Sequence, residues 1–238
     1  MSAENGWAES ADAWIEDVRR DEEFSRRHVL DAPMMAHVRA GGFARALDVG
    51  CGEGRFCRML RTAGVAEVVG IDPTQPLLAA ARAADSDGDY REGRAEALPF
   101  AEGAFDLVVS YLTLIDIPDI AAAIPGMARV LAPGGTLLIA NLTSFNTAAT
   151  IPADGSEWQG GPITVGGYLE ERVGWSEWRG IRIRNHHRPL ARYMTLLIEA
   201  GLVLSAFEEP APSGGDPERA ARYRSAPWFH IMAWRKPG

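Results

Sequence analysis

Residues 46–54 read Ala-Leu-Asp-Val-Gly-Cys-Gly-Glu-Gly, an apolar run that ends in three closely spaced glycines. The pattern predicts a buried strand, a glycine-rich turn and then a helix whose first N–H groups are free to face a ligand. The spacing differs from the G-x-G-x-x-G pattern of dinucleotide sites. Asp48 also lies at the end of the strand, where its carboxylate would repel a pyrophosphate. The turn therefore favours a ligand that carries an ammonium group or hydroxyl groups.

A second strand with a carboxylate at its end follows shortly afterwards. Residues 68–72 read Val-Val-Gly-Ile-Asp, and Asp72 is placed to accept both ribose hydroxyls of a nucleoside. The alternative is that Asp48 and Asp72 only cap helices of an ordinary α/β fold that binds no ligand. The two carboxylates together predict a nucleoside site, which neither would predict alone.

Strand-like and helical patterns alternate along much of the chain. Apolar runs alternate with amphipathic segments between residues 46 and 140, and again from residue 189 to 234. Such alternation implies right-handed crossovers and an α/β fold with a doubly wound, mainly parallel sheet. We predict a single domain in four parts: a helical cap (1–40), a cofactor-binding core (44–140), a lid or acceptor insertion (141–185) and the completion of the sheet (186–238).

The composition argues against several function classes. Of the 238 residues, 47% are hydrophobic and 24% are charged, as in soluble globular proteins. The net charge of -8 argues against a nucleic-acid partner, because such binding relies on Lys and Arg side chains. Cys51 and Cys57 predict neither a disulfide framework nor a metal site. The first residues are polar and acidic, and no apolar run reaches about 20 residues, so we expect a cytoplasmic protein with no membrane partner.

The alternation is interrupted between residues 141 and 184, which we expect to be irregular. A long irregular segment in a compact domain is typical of a lid or a binding loop. Its large aromatic residues would then line an apolar acceptor pocket, or they would only bury the segment against the sheet. The residues concerned are Trp158, Tyr168, Trp175 and Trp178.

Motifs beyond the glycine turn extend the pattern. Residues 95–110 contain Ala-Glu-Ala-Leu-Pro-Phe and Gly-Ala-Phe-Asp-Leu-Val-Val-Ser, and residues 129–137 read Arg-Val-Leu-Ala-Pro-Gly-Gly-Thr-Leu. With the two strand-end motifs, they resemble the class I S-adenosylmethionine-dependent methyltransferases of the small-molecule branch. The resemblance is close over residues 44–140 and loose over 186–235, where His-Arg-Pro-Leu stands at 187–190. It implies a Rossmann-like seven-stranded sheet, S-adenosyl-L-methionine as cofactor and S-adenosyl-L-homocysteine as product.

The resemblance also implies roles for individual residues around the cofactor. The backbone of Gly50 and Gly52, with Cys51 between them, would lie against the methionine moiety, and Asp48 would lie near its ammonium group. Asp72 would hold the ribose. The residues implied for the adenine are Ile71, Pro73, Ala95 and Glu96, and those implied for the floor of the methionine channel are Ser110 and Tyr111.

The N-terminal cap would contribute further contacts. Arg26 or Arg27 would hold the methionine carboxylate, and Trp14 would cover the cofactor. The alternatives are an ordinary solvated helix face for the two arginines and plain core packing for Trp14. Elsewhere the chain departs from the family pattern, because residues 93–95 read Gly-Arg-Ala where an aspartate is common, and Glu96 is expected to take its place.

Three residues are candidates for a general base. Methyl transfer depends mainly on alignment of the acceptor with the donor, and a base is needed only when the acceptor must lose a proton. Asp116 stands where the family often carries a histidine, and His186 and His187 close the irregular segment. The alternatives are a capping or loop role for Asp116 and a histidine bonded to backbone at a strand end.

The sequence therefore predicts a methyltransferase that acts on an oxygen or nitrogen atom of a small organic acceptor, with a carbon atom as a third option. A protein of another class could keep the cofactor fold for binding or regulation without catalysis. A nicotinamide-dependent oxidoreductase is a further rival, but its phosphate-binding pattern is absent. No metal is predicted.

Overall fold

The computed structural model describes residues 5–20, 24–149 and 164–238. The strands of its main sheet are β1 (Arg45–Val49), β2 (Glu67–Asp72), β3 (Asp89–Glu92), β4 (Phe105–Tyr111), β5 (Leu131–Leu142), β8 (Val203–Glu208) and β9 (Phe229–Arg235). They lie in the order β3-β2-β1-β4-β5-β9-β8, and only β9 runs antiparallel to its neighbours. The doubly wound, Rossmann-like, seven-stranded sheet expected from the sequence is confirmed.

Helices cover both faces of the sheet. They are α1 (Trp7–Arg19), α2 (Asp31–Gly41), α3 (Arg55–Thr62), α4 (Gln75–Ala84), α5 (Ile120–Val130), α6 (Ser144–Ala148), α7 (Leu190–Glu199) and α8 (Pro217–Ser225). Leu107 and Val109 of β4 pack in the apolar layer that contains residues of α2 and α3, whereas Val108 packs in the layer of α5 and α7. A central parallel strand is buried on both faces, which explains its continuous apolar sequence.

The strand order reverses between β1 and β4. In open α/β sheets such a reversal leaves a crevice at the carboxyl ends of the strands, where ligands bind. Residues that end or follow β1, β2 and β4 meet at this edge, among them Gly50, Asp72 and Tyr111. The topology thus brings the two strand-end motifs of the sequence together.

The N-terminal cap packs against a hairpin outside the main sheet. This hairpin consists of β6 (Arg172–Trp178) and β7 (Ile181–His187). The Ser10 hydroxyl of α1 donates to the Arg182 carbonyl at 3.1 Å and accepts from the Arg182 N–H at 2.9 Å. Trp14 shares an apolar cluster with Ile181 and Ile183. A π-helical turn, Arg26–Leu30, then runs directly into α2.

The expectation that residues 141–184 are irregular is wrong for the hairpin. β6 and β7 are joined by Arg179 and Gly180, which have φ angles of 45° and 82°. Positive φ at both positions is typical of the tight turns whose twist matches paired antiparallel strands. Charged residues alternate with the inward-facing Ile181 and Ile183, which is the period-2 pattern of a strand with one buried face.

One further difference concerns a boundary, and one further helix follows β8. The limit expected between residues 185 and 186 falls inside β7, so the insertion and the sheet completion do not separate there. The Pro/Gly-rich stretch after β8 is followed by α8, where the Asp216 carboxylate accepts from the Arg219 N–H at 2.9 Å and caps the helix.

Candidate functional site

A cavity of about 1030 Å³, including its open mouth, lies at the carboxyl edge of β1, β2 and β4. The cap closes one side of it, and the loop after β4 closes another. The predicted site residues that line it are Trp14, Arg26, Asp48, Gly50, Cys51, Gly52, Asp72, Pro73, Ala95, Glu96, Tyr111 and Asp116.

Gly50 allows the glycine turn and the loop after β4 to pack together. Its φ angle of 76° lies in the left-handed region, which glycine adopts without strain. A Cβ atom at this position would lie only 2.2 Å from Cγ2 of Thr113. The N–H groups of Gly50 and Cys51 donate to the Ile71 carbonyl at 2.8 and 3.1 Å, which ties the turn to β2.

Asp72 ends β2 and fixes the turn with its carboxylate. Oδ2 accepts from the Gly52 N–H at 3.0 Å, and Oδ1 accepts from the Thr74 N–H at 2.8 Å. Burial raises the pKa of Asp72, and the two backbone hydrogen bonds oppose that shift. Each carboxylate oxygen has a second lone pair, so Asp72 can also accept the hydroxyl groups of a ligand.

Asp48 is a buried carboxylate with an unused oxygen. Oδ2 accepts from Sγ of Cys57 at 3.4 Å, whereas Oδ1 has no hydrogen-bond partner among the described residues. Burial raises the pKa of Asp48 to about 7, and the Cys57 thiol opposes the shift. A cationic ligand group would favour the ionised form. Asp48 therefore suits a ligand ammonium group.

The residues expected near an adenine surround a short 3₁₀ turn, Ala95–Ala97. The Arg94 guanidinium pairs with the Glu96 carboxylate at 3.0 Å, and both side chains line the cavity. Ala95 and Pro73 add apolar surface to the same lining. The ion pair orients the one carboxylate that this turn offers to a ligand.

The cap contributes a guanidinium that lies against two aromatic rings. Cζ of Arg26 is 4.7 Å from the ring centroid of Trp14 and 5.4 Å from that of Tyr111. The Tyr111 hydroxyl donates to Asp31 at 2.8 Å, and Asp31 also pairs with Arg55. These contacts hold a positive charge at the cavity, where it can meet a ligand carboxylate.

A second carboxylate, that of Asp116, lies half-buried in the loop after β4. Oδ2 of Asp116 accepts from the Trp7 indole N–H at 3.1 Å, and Oδ1 accepts from the Asn185 amide at 2.6 Å. Burial raises the pKa of Asp116 to about 7, against the effect of these two donors. At neutral pH the protonated and ionised forms are both populated, which suits a general base.

Besides Ile71, which is buried inside β2, four predicted site residues lie outside the lining that the described residues form. Arg27 is exposed on the π-helical turn, and Ser110 is buried inside β4. His186 and His187 lie at the end of β7. The role of each of these four residues therefore stays a prediction without a contact to the cavity.

His187 uses both ring nitrogens within the protein. Nδ1 is 2.7 Å from the Thr147 hydroxyl, and Nε2 is 2.9 Å from the Tyr168 carbonyl. Burial lowers the pKa of His187 below its usual value. This geometry supports a structural role for the imidazole, because it leaves no ring nitrogen directed at the cavity.

His186 acts on the loop after β4 through its backbone. Its N–H donates to the Ile115 carbonyl at 2.7 Å. Burial, followed by the charges of Arg188 and Arg184, lowers the pKa of the His186 imidazole to about 4. Among the three base candidates, Asp116 is the residue that the structure brings into the cavity.

Of the four aromatic residues expected to form an acceptor pocket, the three that the structure describes do not line the cavity. Trp158 lies outside the described residues. Tyr168 packs on a phenylalanine of α6, Trp178 packs in the cluster under α1, and Trp175 is exposed on the outer face of the hairpin. The tryptophan that joins Trp14 in the lining is Trp7, at the start of α1.

The sequence analysis missed Trp7, Thr113 and Asn185. A usable signal exists for Asn185, because it continues the period-2 series of inward positions at 181 and 183 and so places an amide on a buried face. Trp7 stands seven residues before Trp14, close to two helical turns, which puts both indoles on one face of α1.

The comparisons with known proteins agree with this geometry. Residues 47–139 match the protein family described as "Methyltransferase domain". An S-adenosylmethionine-dependent methyltransferase from Mesorhizobium loti matches the fold with a TM-score of 0.72 and 27% identity, over 86% of this chain and 96% of that protein. Residues 47–139 thus form a methyltransferase domain, and the chain as a whole is similar to S-adenosylmethionine-dependent methyltransferases.

Two curated relatives of this methyltransferase carry names that specify the reaction. It is 37% identical to a malonyl-[acyl-carrier protein] O-methyltransferase from Enterobacter lignolyticus over 119 residues, which cover 50% of this chain and 47% of the relative. It is 29% identical to a ubiquinone biosynthesis O-methyltransferase from Methylococcus capsulatus, over 82% of this chain and 90% of the relative. The chain thus spans about half the length of the first relative and most of the second.

The cofactor of the methyltransferase is S-adenosylmethionine, and the cavity contains groups that are complementary to its ammonium group, its ribose and its carboxylate. The unused oxygen of Asp48 fits the ammonium group, Asp72 fits the ribose hydroxyls and Arg26 fits the carboxylate. Within the described ranges, no helix has the length and hydropathy needed to cross a membrane. The same residues contain no cluster of three or more His, Cys, Asp or Glu side chains arranged for a metal ion.

Proposed function

We propose that this methyltransferase methylates a hydroxyl oxygen of a small organic acceptor, with Asp116 as the general base. The observation that carries the proposal is the position of Asp116. A carboxylate whose pKa is raised to about 7 lines the same cavity as the glycine turn and Asp72. No other candidate base of the sequence analysis lines it within the described residues.

The protein's part in the reaction follows from the residues already placed. When bound, S-adenosylmethionine supplies an activated methyl group that a nucleophile can displace in line. Asp48, Asp72 and Arg26 would bind its polar groups, so that the donor is fixed in one orientation. The loop that carries Asp116 packs on Gly50 through Thr113, so the base lies on a segment in direct contact with the cofactor turn. Fixed alignment of donor and acceptor supplies much of the rate of such a transfer.

Asp116 favours an acceptor that has to lose a proton. A hydroxyl group becomes a strong nucleophile when a base removes its proton, and a base with a pKa near the working pH does this most effectively. The two donors on Asp116, Trp7 and Asn185, support its ionised form and fix its orientation. The names of both curated relatives specify O-methyl transfer, which supports oxygen as the accepting atom here.

Calorimetric titration of the purified protein tests the first half of the proposal. We expect S-adenosylmethionine and S-adenosylhomocysteine to bind with micromolar dissociation constants and NADH not to bind. Binding of NADH alone would favour the oxidoreductase alternative. Tight binding of S-adenosylmethionine without turnover of any hydroxylated acceptor in a screen of phenols and enols would favour the non-catalytic alternative.

The second half is tested by the pH profile of Asp116→Asn. In the wild-type enzyme, kcat/KM for a hydroxyl acceptor should rise with pH and level off above about 7, because the ionised carboxylate is the active form. The variant should lose this rise and about 100-fold in kcat, with an unchanged affinity for S-adenosylmethionine. Glu102→Gln, an exposed carboxylate, serves as the control. A variant that keeps the pH-dependent rise would exclude Asp116 as the base.

A further inference from the structure

The sequence motif His-Arg-Pro-Leu at 187–190 has no part in the function described so far. Its arginine, Arg188, lies just after β7 and is only 3% exposed. A guanidinium is rarely buried to this extent unless its N–H groups have partners. The hydrogen bonds of Arg188 account for its burial.

Arg188 donates to three carbonyl groups of the loop that carries Asp116. One terminal nitrogen, Nη1, donates to the Leu114 carbonyl at 3.0 Å. The other, Nη2, donates to the carbonyls of Ile117 and Pro118 at 2.7 and 2.9 Å. These acceptors stand on both sides of Asp116 in the sequence, so a single side chain spans the turn at whose centre the carboxylate lies.

Neighbouring residues of β7 act on the same loop. The Asn185 amide donates to the Asp116 carboxylate itself, and the His186 N–H donates to the Ile115 carbonyl. Residues 185, 186 and 188 thus bind a side chain and four carbonyls within residues 114–118. On the other side, Thr113 packs against Gly50 of the cofactor turn. The loop is held between the end of β7 and the cofactor turn.

We propose that Arg188 is a positioning residue, which holds the loop of residues 114–118 so that Asp116 stays desolvated inside the cavity. The inference rests on the proposed function only for its effect on catalysis. The fork of a guanidinium can satisfy three carbonyls in fixed directions, whereas an ammonium group cannot reproduce that geometry. Arg188→Lys should therefore loosen the loop while it keeps the positive charge.

The direct readout is the titration of Asp116 itself. In ¹³C-labelled protein, the carboxyl resonance that is absent from Asp116→Asn belongs to Asp116. It should titrate near 7 in the wild type, and in Arg188→Lys it should titrate lower, towards the ordinary aspartate value of about 3.9, because a loosened loop admits water. The Trp7 indole N–H resonance should shift in the same variant, since its acceptor moves.

Activity gives the second readout. Arg188→Lys should lower kcat at least tenfold and change the dissociation constant for S-adenosylmethionine less than twofold, which also shows that the fold is intact. Arg192→Lys is the matched control, because both arginines pair with Glu171, Arg188 at 3.8 Å and Arg192 at 3.3 Å. Unlike Arg188, Arg192 is exposed and has no hydrogen bond to residues 114–118 among the described contacts.

The outcomes separate this proposal from the previous one. An Asp116 resonance in Arg188→Lys that still titrates at the wild-type value would overturn the positioning role, whatever the activity. A lowered titration midpoint would support it even if Asp116→Asn proved fully active, a result that would instead overturn the role of Asp116 as base. Should Arg188→Lys fail to fold, Arg188→Gln, which keeps two donors, takes its place in the same measurements.

Discussion

The cofactor side of the cavity is held mainly by backbone contacts between neighbouring motifs, whereas the acceptor side is assembled from side chains that are distant in the sequence. The Gly52 N–H and Asp72, which fix the glycine turn, are 20 residues apart. Asp116 is bonded to Trp7 and Asn185, which are 109 and 69 residues away. The acceptor side therefore depends on the docking of both the cap and the hairpin, whereas the cofactor side takes only Trp14 and Arg26 from the cap. Changes in the hairpin or at Trp7 should impair catalysis and leave cofactor binding intact.

The largest effect is expected from Asp72→Ala, on the cofactor side. The change removes the acceptor for the ribose hydroxyls and the two hydrogen bonds that fix the glycine turn. Loss of two charge-assisted bonds to the ligand, at roughly 1.5–3 kcal/mol each, should weaken S-adenosylmethionine binding by at least about 100-fold. Calorimetry measures the change. Glu92→Ala is the control, because Glu92 is the register partner of Asp72 on β3 but is exposed.

The difference between the cofactor side and the acceptor side also explains how much of the site could be predicted from the sequence. Asp48, the glycines and Asp72 lie in two contiguous motifs, each formed by a strand and its following turn, so their spacing alone places them at one sheet edge. The prediction that they line a common cavity needs only the parallel order of β1 and β2, which the alternation of strands and helices already implies.

The acceptor side offers no such local pattern. Trp7 reaches Asp116 only because α1 docks on β7, and that docking depends on the apolar positions Ile181 and Ile183, which alternate with arginines. The histidines suggested a base because their ordinary pKa is near neutral, but burial and partners within the protein decide their behaviour. Asp116 gains its raised pKa from the same tertiary burial, which the sequence does not show.

Asp48→Asn should have the next largest effect and should act in two opposite directions. It removes the charge that faces the ligand ammonium, so the dissociation constant for S-adenosylmethionine should rise about tenfold at pH 8, and its increase below about pH 7 should disappear. In the ligand-free protein, however, the buried Asp48 carboxylate destabilises the fold when it is ionised. Its raised pKa means that wild-type stability falls as the pH rises from about 4 to about 7.

The Asp48→Asn change should abolish this pH-dependent loss of stability, which amounts to roughly 4 kcal/mol at most. The melting temperature of ligand-free Asp48→Asn should therefore exceed that of the wild type at pH 8 and approach it at pH 4. The exposed Asp12→Asn, measured in parallel, should show neither effect. A variant less stable than the wild type at pH 8 would contradict the view that Asp48 is kept for its ligand.

Trp7→Phe tests the acceptor side with a smaller effect. The phenyl ring keeps most of the packing on Trp14 but cannot donate to Asp116. Loss of a donor to the ionised form should raise the pKa of Asp116, so the rise in kcat/KM should move to higher pH. At pH 7 the rate should fall about fivefold and should recover by pH 9, with unchanged cofactor affinity. Trp178→Phe, in the same apolar cluster, should leave the pH profile unmoved.

The smallest catalytic effect is expected from His187→Ala, because both imidazole nitrogens already have partners in Thr147 and Tyr168. Removal of these two bonds should cost about 1–3 kcal/mol of stability, measured by chemical denaturation. The kcat value should stay within about twofold of the wild type, and the pH-dependent rise should keep its position. A lost or shifted rise would mean that His187 reaches the acceptor and that the base lies on the hairpin. In that case His187 would be the general base, as one of the sequence-based hypotheses has it. Asp116 would then only orient Trp7 and Asn185 by accepting their hydrogen bonds.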